Sequence, residues 1–260
     1  YVANSPEKII FDKVNAERMK CGFGAIQQNT LLDTAAKNHA LYNLAHKVFG
    51  HDETTGKTGF TGIDAVARAN SVGYFSKSWI SEGISYPHFF SPVATNVLNQ
   101  LSSPYHSQTM LAEYTDIGIG YSNMVEGEVG ATVFNYGSGN LEIGQLPSSS
   151  VGVRTYPCEG VTGVYTALYG EVPSPMTRDM SIAPAGHPIM VIGDHNKKLT
   201  LTSATIIEMP TGRSLPIHRL STKDNDINAN TLRGPHVGYV LPDVPMLPNT
   251  AYSVTVSGTN

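Results

Sequence analysis

Hydrophobic positions recur at helical spacing in the first half of the chain and alternate with polar ones afterwards. Ser5-Pro6-Glu7 reads as a helix start, with a serine to accept from free backbone N–H groups, a proline preset for the first turn and an acid at the positive end of the helix dipole. Ile10 and Val14 follow on one stripe, and Cys21-Gly22-Phe23-Gly24 breaks it. Asn29 or Thr30 caps a second helix, in which Leu32, Ala36 and His39 share a face with Ala35, Ala40 and Leu41 beside it. A third helix is expected from about Asp64 to Val72, ending at Gly73. The fourth starts at Ser91-Pro92, carries Val93, Val97 and Leu101 on one stripe and is stopped by Pro104.

The period then changes. Asp116-Ile117-Gly118-Ile119-Gly120-Tyr121 and Ala131-Thr132-Val133-Phe134-Asn135-Tyr136 alternate as strands do, so the first half predicts helices around a small antiparallel sheet. Proline and serine replace the pattern at Gln145-Leu146-Pro147-Ser148-Ser149-Ser150, which places a boundary between a domain over 1–146 and one over 151–260. Beyond it the runs are β-rich: Pro188 to Ile192, Leu199 to Thr202, Ala204 to Ile207 and Tyr252 to Val256, with Gly, Pro, Asn and Asp between them. A β-sandwich of about a hundred residues is the expected product, and the fold class is α+β.

Length and composition agree with two folded domains. The 260 residues are 40% hydrophobic and only 15% charged, far from the composition of a disordered chain. A formal net charge of -4 without any Lys/Arg cluster lacks the electrostatic footprint of nucleic-acid binding. No apolar run reaches the roughly 20 residues of a transmembrane helix. The chain opens at Tyr1 without a secretory leader, as expected where one has been removed. Cys21 and Cys158 fit neither a zinc ribbon nor a redox pair. They are either two buried thiols or one disulfide joining the two halves, the latter suited to an oxidising compartment.

Several phrases of the first half resemble one family. They are Asn15 to Arg18 running into Cys21-Gly22-Phe23-Gly24, Leu32-Asp33 with Ala35-Ala36 and His39-Ala40, Gly50-His51, Gly59-Phe60-Thr61-Gly62, Arg68-Ala69 with Gly73-Tyr74, Ser103-Pro104-Tyr105-His106, and Ile117 to Tyr121. In this order they resemble the bacterial form of the CAP superfamily (cysteine-rich secretory proteins, antigen 5 and pathogenesis-related 1 proteins) over about residues 5 to 145. The resemblance implies an α-β-α sandwich. The second half, with Tyr156-Pro157, Gly186-His187-Pro188-Ile189 and Leu247 to Val256, resembles a bacterial immunoglobulin-like module.

The CAP resemblance also implies a cleft lined by two histidines and two glutamates, which in several members holds a divalent metal. It places His51 and His106 on the histidines and Glu82, in Ile80-Ser81-Glu82-Gly83-Ile84, on one glutamate. The helix that should supply the other glutamate offers Asn96, Asn99 and Gln100 but no acid. Glu53, two residues past His51 in an extended segment, is the candidate replacement. His51, His106 and Glu82 are then candidate ligands of a weakly held metal, zinc first, with Glu82 or Glu53 the candidate base of a hydrolase.

His39, His46 and His88 read as core or surface residues, and His187, His195, His218 and His236 lack metal-ligand spacing. Tyr74, Trp79, Tyr86, Phe89, Phe90 and Tyr105 flank the candidates. They either pack in the core or wall a groove for an apolar, lipid or glycan ligand. No Gly-x-Ser-x-Gly, His-Glu-x-x-His or P-loop occurs. The leading expectation is an exported protein of the envelope or extracellular space, binding a small ligand or metal through the cleft and an envelope or extracellular protein through the β-module. The alternatives are a metal-dependent peptidase using the same cleft and a purely structural envelope protein.

Overall fold

In a computed structural model of the protein, which describes residues 1–86, 91–123, 130–142, 152–221 and 235–259, Ser5 Oγ accepts from Lys8 N at 3.1 Å and opens α1 (Pro6–Lys20). Ile10 and Val14 are fully buried on it. Asn29 caps α2 (Thr30–His46) by accepting from Leu31 N and Leu32 N. Leu32, Ala36 and His39 form its fully buried face, whereas Leu41 is exposed. Nine residues past Leu32 is two and a half turns, which puts Leu41 on the opposite side of the helix. Asp64 caps α3 (Ala65–Ser71), and Gly73 follows in the left-handed region at φ 87°.

The fourth helix differs from expectation at both ends. It begins later, as α4 (Thr95–Leu101), and Pro104 is not only a stop but the first residue of an unpredicted helix, α5 (Pro104–Leu111). Proline suits a first helical position because the N–H it lacks would have had no partner there.

Contacts gather the chain into two units, Tyr1–Gln100 with Thr109–Pro147 and Leu101–Gln108 with Ser148–Asn260. Segment 101–108 thus groups with the second half. The linker expected at 145–150 lies outside the described residues.

The sheet of the first unit has the order β1 (Gln27–Gln28), β3 (Asp116–Tyr121), β4 (Thr132–Gly137), β2 (Ser81–Ser85). It is not purely antiparallel, because β1 pairs with β3 in parallel. A two-residue strand carries no alternation to read. All six positions of β4 are buried, so both faces of the sheet are covered. Helix α2 packs on one face. On the other, Gln100 of α4 donates to Ile84 O at 2.8 Å and Tyr114 stacks on Tyr136 with centroids 5.7 Å apart. This is the α-β-α layering that was expected.

The second unit contains two sheets, β5 (Arg154–Tyr156), β6 (Ile189–Ile192), β10 (Val237–Pro242), β9 (Ile217–Leu220) and β11 (Tyr252–Thr259), β7 (Thr200–Glu208), β8 (Arg213–Ser214). The two runs predicted at Leu199 to Ile207 are one strand, β7. Ile189, Val191 and Val240 from one sheet and Leu201 and Ile206 from the other share a core. Among the described residues after 151 there is no helix.

Candidate functional site

Two glycines decide where the first cluster forms. A Cβ on Gly118 would lie 2.0 Å from the carbonyl carbon of Leu32, and one on Gly120 would lie 2.2 Å from that of Ala36. Only glycine lets α2 come this close to β3. Gly118 pairs with Asn135, and Asn135 with Glu82, so all three face α2. His39 on the buried face of α2 meets them there.

After α2, Lys47 takes a left-handed conformation at φ 52°, and the chain returns toward His39. His39 Nδ1 lies 3.0 Å from Glu53 Oε1, and its Nε2 lies 3.0 Å from Gly50 O and 3.8 Å from Glu82 Oε1. Glu53 Oε2 accepts from Thr61 N at 2.6 Å and from Gly62 N at 3.2 Å. Glu53 is therefore a pin for the 50–62 loop. Arg68, fully buried on α3, donates through Nη2 to both oxygens of Glu82 at 2.9 and 2.8 Å and through Nη1 to Gly62 O at 3.3 Å. Its Nε is 4.0 Å from Glu53 Oε1. Asn135, in the amide orientation that satisfies both its ends, donates to Glu82 Oε2 at 3.0 Å and accepts from Ala36 N at 3.1 Å.

His51 completes the cluster from outside. Its Nδ1 lies 2.9 Å from Glu82 Oε1, and its side chain is 52% exposed while that of Glu82 is 2% exposed. Burial pushes the Glu82 carboxyl up, but the hydrogen bond from His51 and the charges of Arg68 and His39 outweigh it and hold the group below its ordinary value. A carboxylate that takes hydrogen bonds from Arg68 and Asn135 is acceptor-only, so His51 Nδ1 is the donor of this contact, and its Nε2 makes no hydrogen bond among the described residues. In the residues just before it, Phe49 meets Tyr86 edge-on at 4.7 Å, and Gly50 N donates to Tyr86 Oη at 2.6 Å.

His106 belongs to the second unit and has a different partner. On α5, its Nδ1 lies 2.6 Å from Glu171 Oε1, a carboxylate that no sequence pattern singled out. Glu171 also accepts from His106 N at 2.9 Å and from Tyr105 N at 3.2 Å.

These contacts test the expected metal. Glu53 is fully buried with its oxygens committed to His39, Thr61 and Gly62, and a cation beside Glu82 would face the Arg68 guanidinium at hydrogen-bond range from the same oxygens. The extended segment does not turn Glu53 and His51 to one side either, since His51 and Asp52 are exposed and Glu53 is buried. Among the described residues no three His, Cys, Asp or Glu side chains gather into a metal-holding group. The residues present do not fit a zinc set, and neither Glu82 nor Glu53 is free to act as a general base.

The family model of the cysteine-rich secretory proteins, CAP, matches residues 11–136. This stretch is a CAP domain. No curated protein sequence matches the chain. Among solved structures it is similar to an outer surface protein from Borrelia burgdorferi, at 16% identity, covering 54% of this chain and 97% of that one with a TM-score of 0.44. It is also similar to an extracellular protein containing a SCP domain from Bacillus anthracis, at 18% identity and a TM-score of 0.42, covering 52% of this chain and 41% of that one.

Within the CAP domain, His39 is a satisfied core residue, as its apolar helix face suggested, and its partners are the carboxylates of the cluster. Arg68 appeared only as part of a family phrase; a lone arginine on an alanine-rich helix was the signal that a buried acid awaits it. Tyr74 is structural, donating to Asp116 Oδ2 and accepting from Gly139 N, both at 2.8 Å. Trp79 is exposed, and His46 Nε2 lies 2.8 Å from Thr58 O at the surface. His88, Phe89 and Phe90 lie outside the described residues.

In the second unit His187 and His236 are each pushed down to about 4, in both cases by burial first. Both Cys21 and Cys158 are disulfide-bonded. Among the described residues no helix is long and apolar enough to cross a membrane.

Proposed function

We propose that this CAP-domain protein is exported and works at the cell envelope or outside the cell, binding a small ligand at His51. The observation that carries this reading is an exposed imidazole whose Nδ1 is fixed by a buried carboxylate, which leaves Nε2 for a ligand, two residues along the chain from the Phe49 that meets Tyr86 edge-on. Such a site takes a ligand with a polar hydrogen-bond donor for the imidazole and an apolar or sugar face for the aromatic edge. The secretory family and the disulfide-bonded cysteines support an oxidising location. The sheets of the second unit, read as an immunoglobulin-like module, would space or dock the CAP domain through an envelope or extracellular protein.

The test is saturation-transfer NMR of the full chain with a panel of envelope glycans and fatty acids. A compound that binds the parent and binds His51→Ala at least ~10-fold more weakly supports the reading, since losing a well-placed hydrogen bond costs about 1.4 kcal/mol or more. Equal binding by the two proteins, or no binding across the panel, sinks it.

A further inference from the structure

We propose that the second unit pairs with a second copy of this chain through the outer edge of β11, strand against strand in antiparallel fashion about Val254. The inference concerns the second unit alone and does not rest on the ligand site proposed at His51.

Four strands lie outermost in the two sheets of this unit, β5 and β9 in one and β8 and β11 in the other. An outer strand offers N–H and C=O groups to any strand that approaches, and charge, proline or shortness is the usual protection. Strand β5 has three residues and begins at Arg154, β8 has two and begins at Arg213, and β9 has four and carries His218 and Arg219. Strand β11 has eight, from Tyr252 to Thr259, with neither a charge nor a proline. Among the described residues it pairs with β7 alone, and its register shift comes late, between Ser257 and Gly258.

The register shows which backbone groups face outward. Met209 N donates to Ala251 O at 2.9 Å, one step beyond the pair of Tyr252 with Glu208. Bonded and unbonded pairs alternate along an antiparallel ladder. Ser253 opposite Ile207 and Thr255 opposite Thr205 therefore bond to β7, while Tyr252, Val254 and Val256 turn their backbone groups away from it. Ile206, opposite Val254, agrees from its far side, since its O accepts from Leu215 N at 2.8 Å. Tyr252 and Val256 pack against the core between the sheets, yet Val254, on the same side of the strand, is 38% exposed. A neighbouring strand would cover it.

The edge fits itself. Turned antiparallel about Val254, two copies set Tyr252 opposite Val256, Val254 opposite Val254 and Ser253 opposite Thr255. These are aromatic with β-branched and hydroxyl with hydroxyl, pairs that stabilise ladders. The outward groups of residues 252, 254 and 256 all meet a counterpart in this register, and its two-fold axis closes the assembly at a dimer. An edge without charge gives a charged peptide nothing to match, whereas a copy of itself matches at every position.

The experiment is sedimentation equilibrium of the intact chain and of Val254→Pro. Proline there removes an outward N–H, leaves the bonds to β7 in place and follows a residue that is already extended. The parent is expected to pass from monomer to dimer as its concentration rises. Val254→Pro deletes the central bond in both copies and should associate at least about tenfold more weakly, with an unchanged circular dichroism spectrum. A parent that stays monomeric at millimolar concentration overturns the proposal and leaves the edge to a strand of another protein or to solvent. A dimer that Val254→Pro leaves equally tight also overturns it, because another surface then holds the copies together. If Val254→Pro does not fold, amide exchange in the parent decides. Exchange at Val254 and Val256 that slows as concentration rises upholds the pairing, and exchange that is independent of concentration overturns it.

Discussion

Glu82 and Glu171 are equally buried, each behind a partly exposed histidine, yet they are held by different means. Glu82 rests among side-chain charges, Arg68 above all and His39 at 3.8 Å, with Glu53 as a second acid in the same network. Glu171 rests on backbone N–H groups at a helix start. A network of side-chain charges fails together when one member is lost, because each remaining ion keeps its desolvation cost without its compensation. A carboxylate on backbone donors has no such dependants. The two pairs therefore present the same chemical tip, a partly exposed histidine, on supports of unlike fragility.

The largest effect expected from this difference is that of Arg68→Ala. It leaves Glu82 and Glu53 buried without their fully buried cation and should destabilise the protein by roughly 3–5 kcal/mol, the usual cost of breaking a buried ion pair from one side. Urea unfolding followed by signals of the first unit measures it. Arg68→Lys should recover little, because a point charge cannot serve both Glu82 oxygens and Gly62 O as the planar fork does. A loss below about 1 kcal/mol for Arg68→Ala would mean that the network relaxes or hydrates, and the contrast with Glu171 would disappear.

Acid should separate the two units next. The carboxyl of Glu82 is depressed in the folded state, so its contribution is present above the unfolded value of 4.5 and is lost as pH falls below it. His187 acts at higher pH. Folding holds it near 4 against an ordinary 6.5, so the folded state disfavours its protonation; stability is complete above about 6.5 and declines as pH falls toward 4. At about 1.4 kcal/mol per unit, His187 alone withdraws about 3 kcal/mol over that interval, and His236 adds to it in the same direction. Amide exchange resolved by unit, at pH 7, 5.5 and 4.5, should show the second unit opening first. Earlier opening of the first unit would place the acid-sensitive charge elsewhere.

Helices α1 to α3 were legible because their starts carry local chemistry: Ser5 and Asn29 cap where the pattern put them, and Asp64, at the expected start of the third, caps it; α4 and α5, whose starts carry no such cap, were misplaced and missed. The sheet was half legible. Strands β3 and β4 alternate over six residues each, but β2 reads Ser-Glu-Gly-Ile-Ser and has no stripe, since its burial is set by partners distant in the chain. His51 and Glu82 could be paired from the family phrases. Glu53 could not be placed, because whether a loop side chain turns in or out depends on the donors awaiting it, here Thr61 N and Gly62 N. Glu171 was beyond reach altogether: nothing between Gly170 and Val172 distinguishes an acid that will meet a helix start from one that will meet water. The missing acid before His106 was the one available hint that a carboxylate had to come from somewhere else.

The smallest effect sharpens the comparison most. His51→Ala removes the exposed member of the first pair while leaving Glu82 its bonds to Arg68 and Asn135, so the buried network keeps its compensation. An exposed imidazole on a satisfied carboxylate should contribute within about 0.5 kcal/mol to stability, as surface substitutions do. Urea midpoints of the parent and His51→Ala, measured at pH 7.5, are expected to coincide within that margin while ligand binding is lost. A loss of about 2 kcal/mol or more would show that His51 belongs to the fold rather than to recognition. The Glu82 pair would then be structural, and the ligand site proposed at His51 would fall with it.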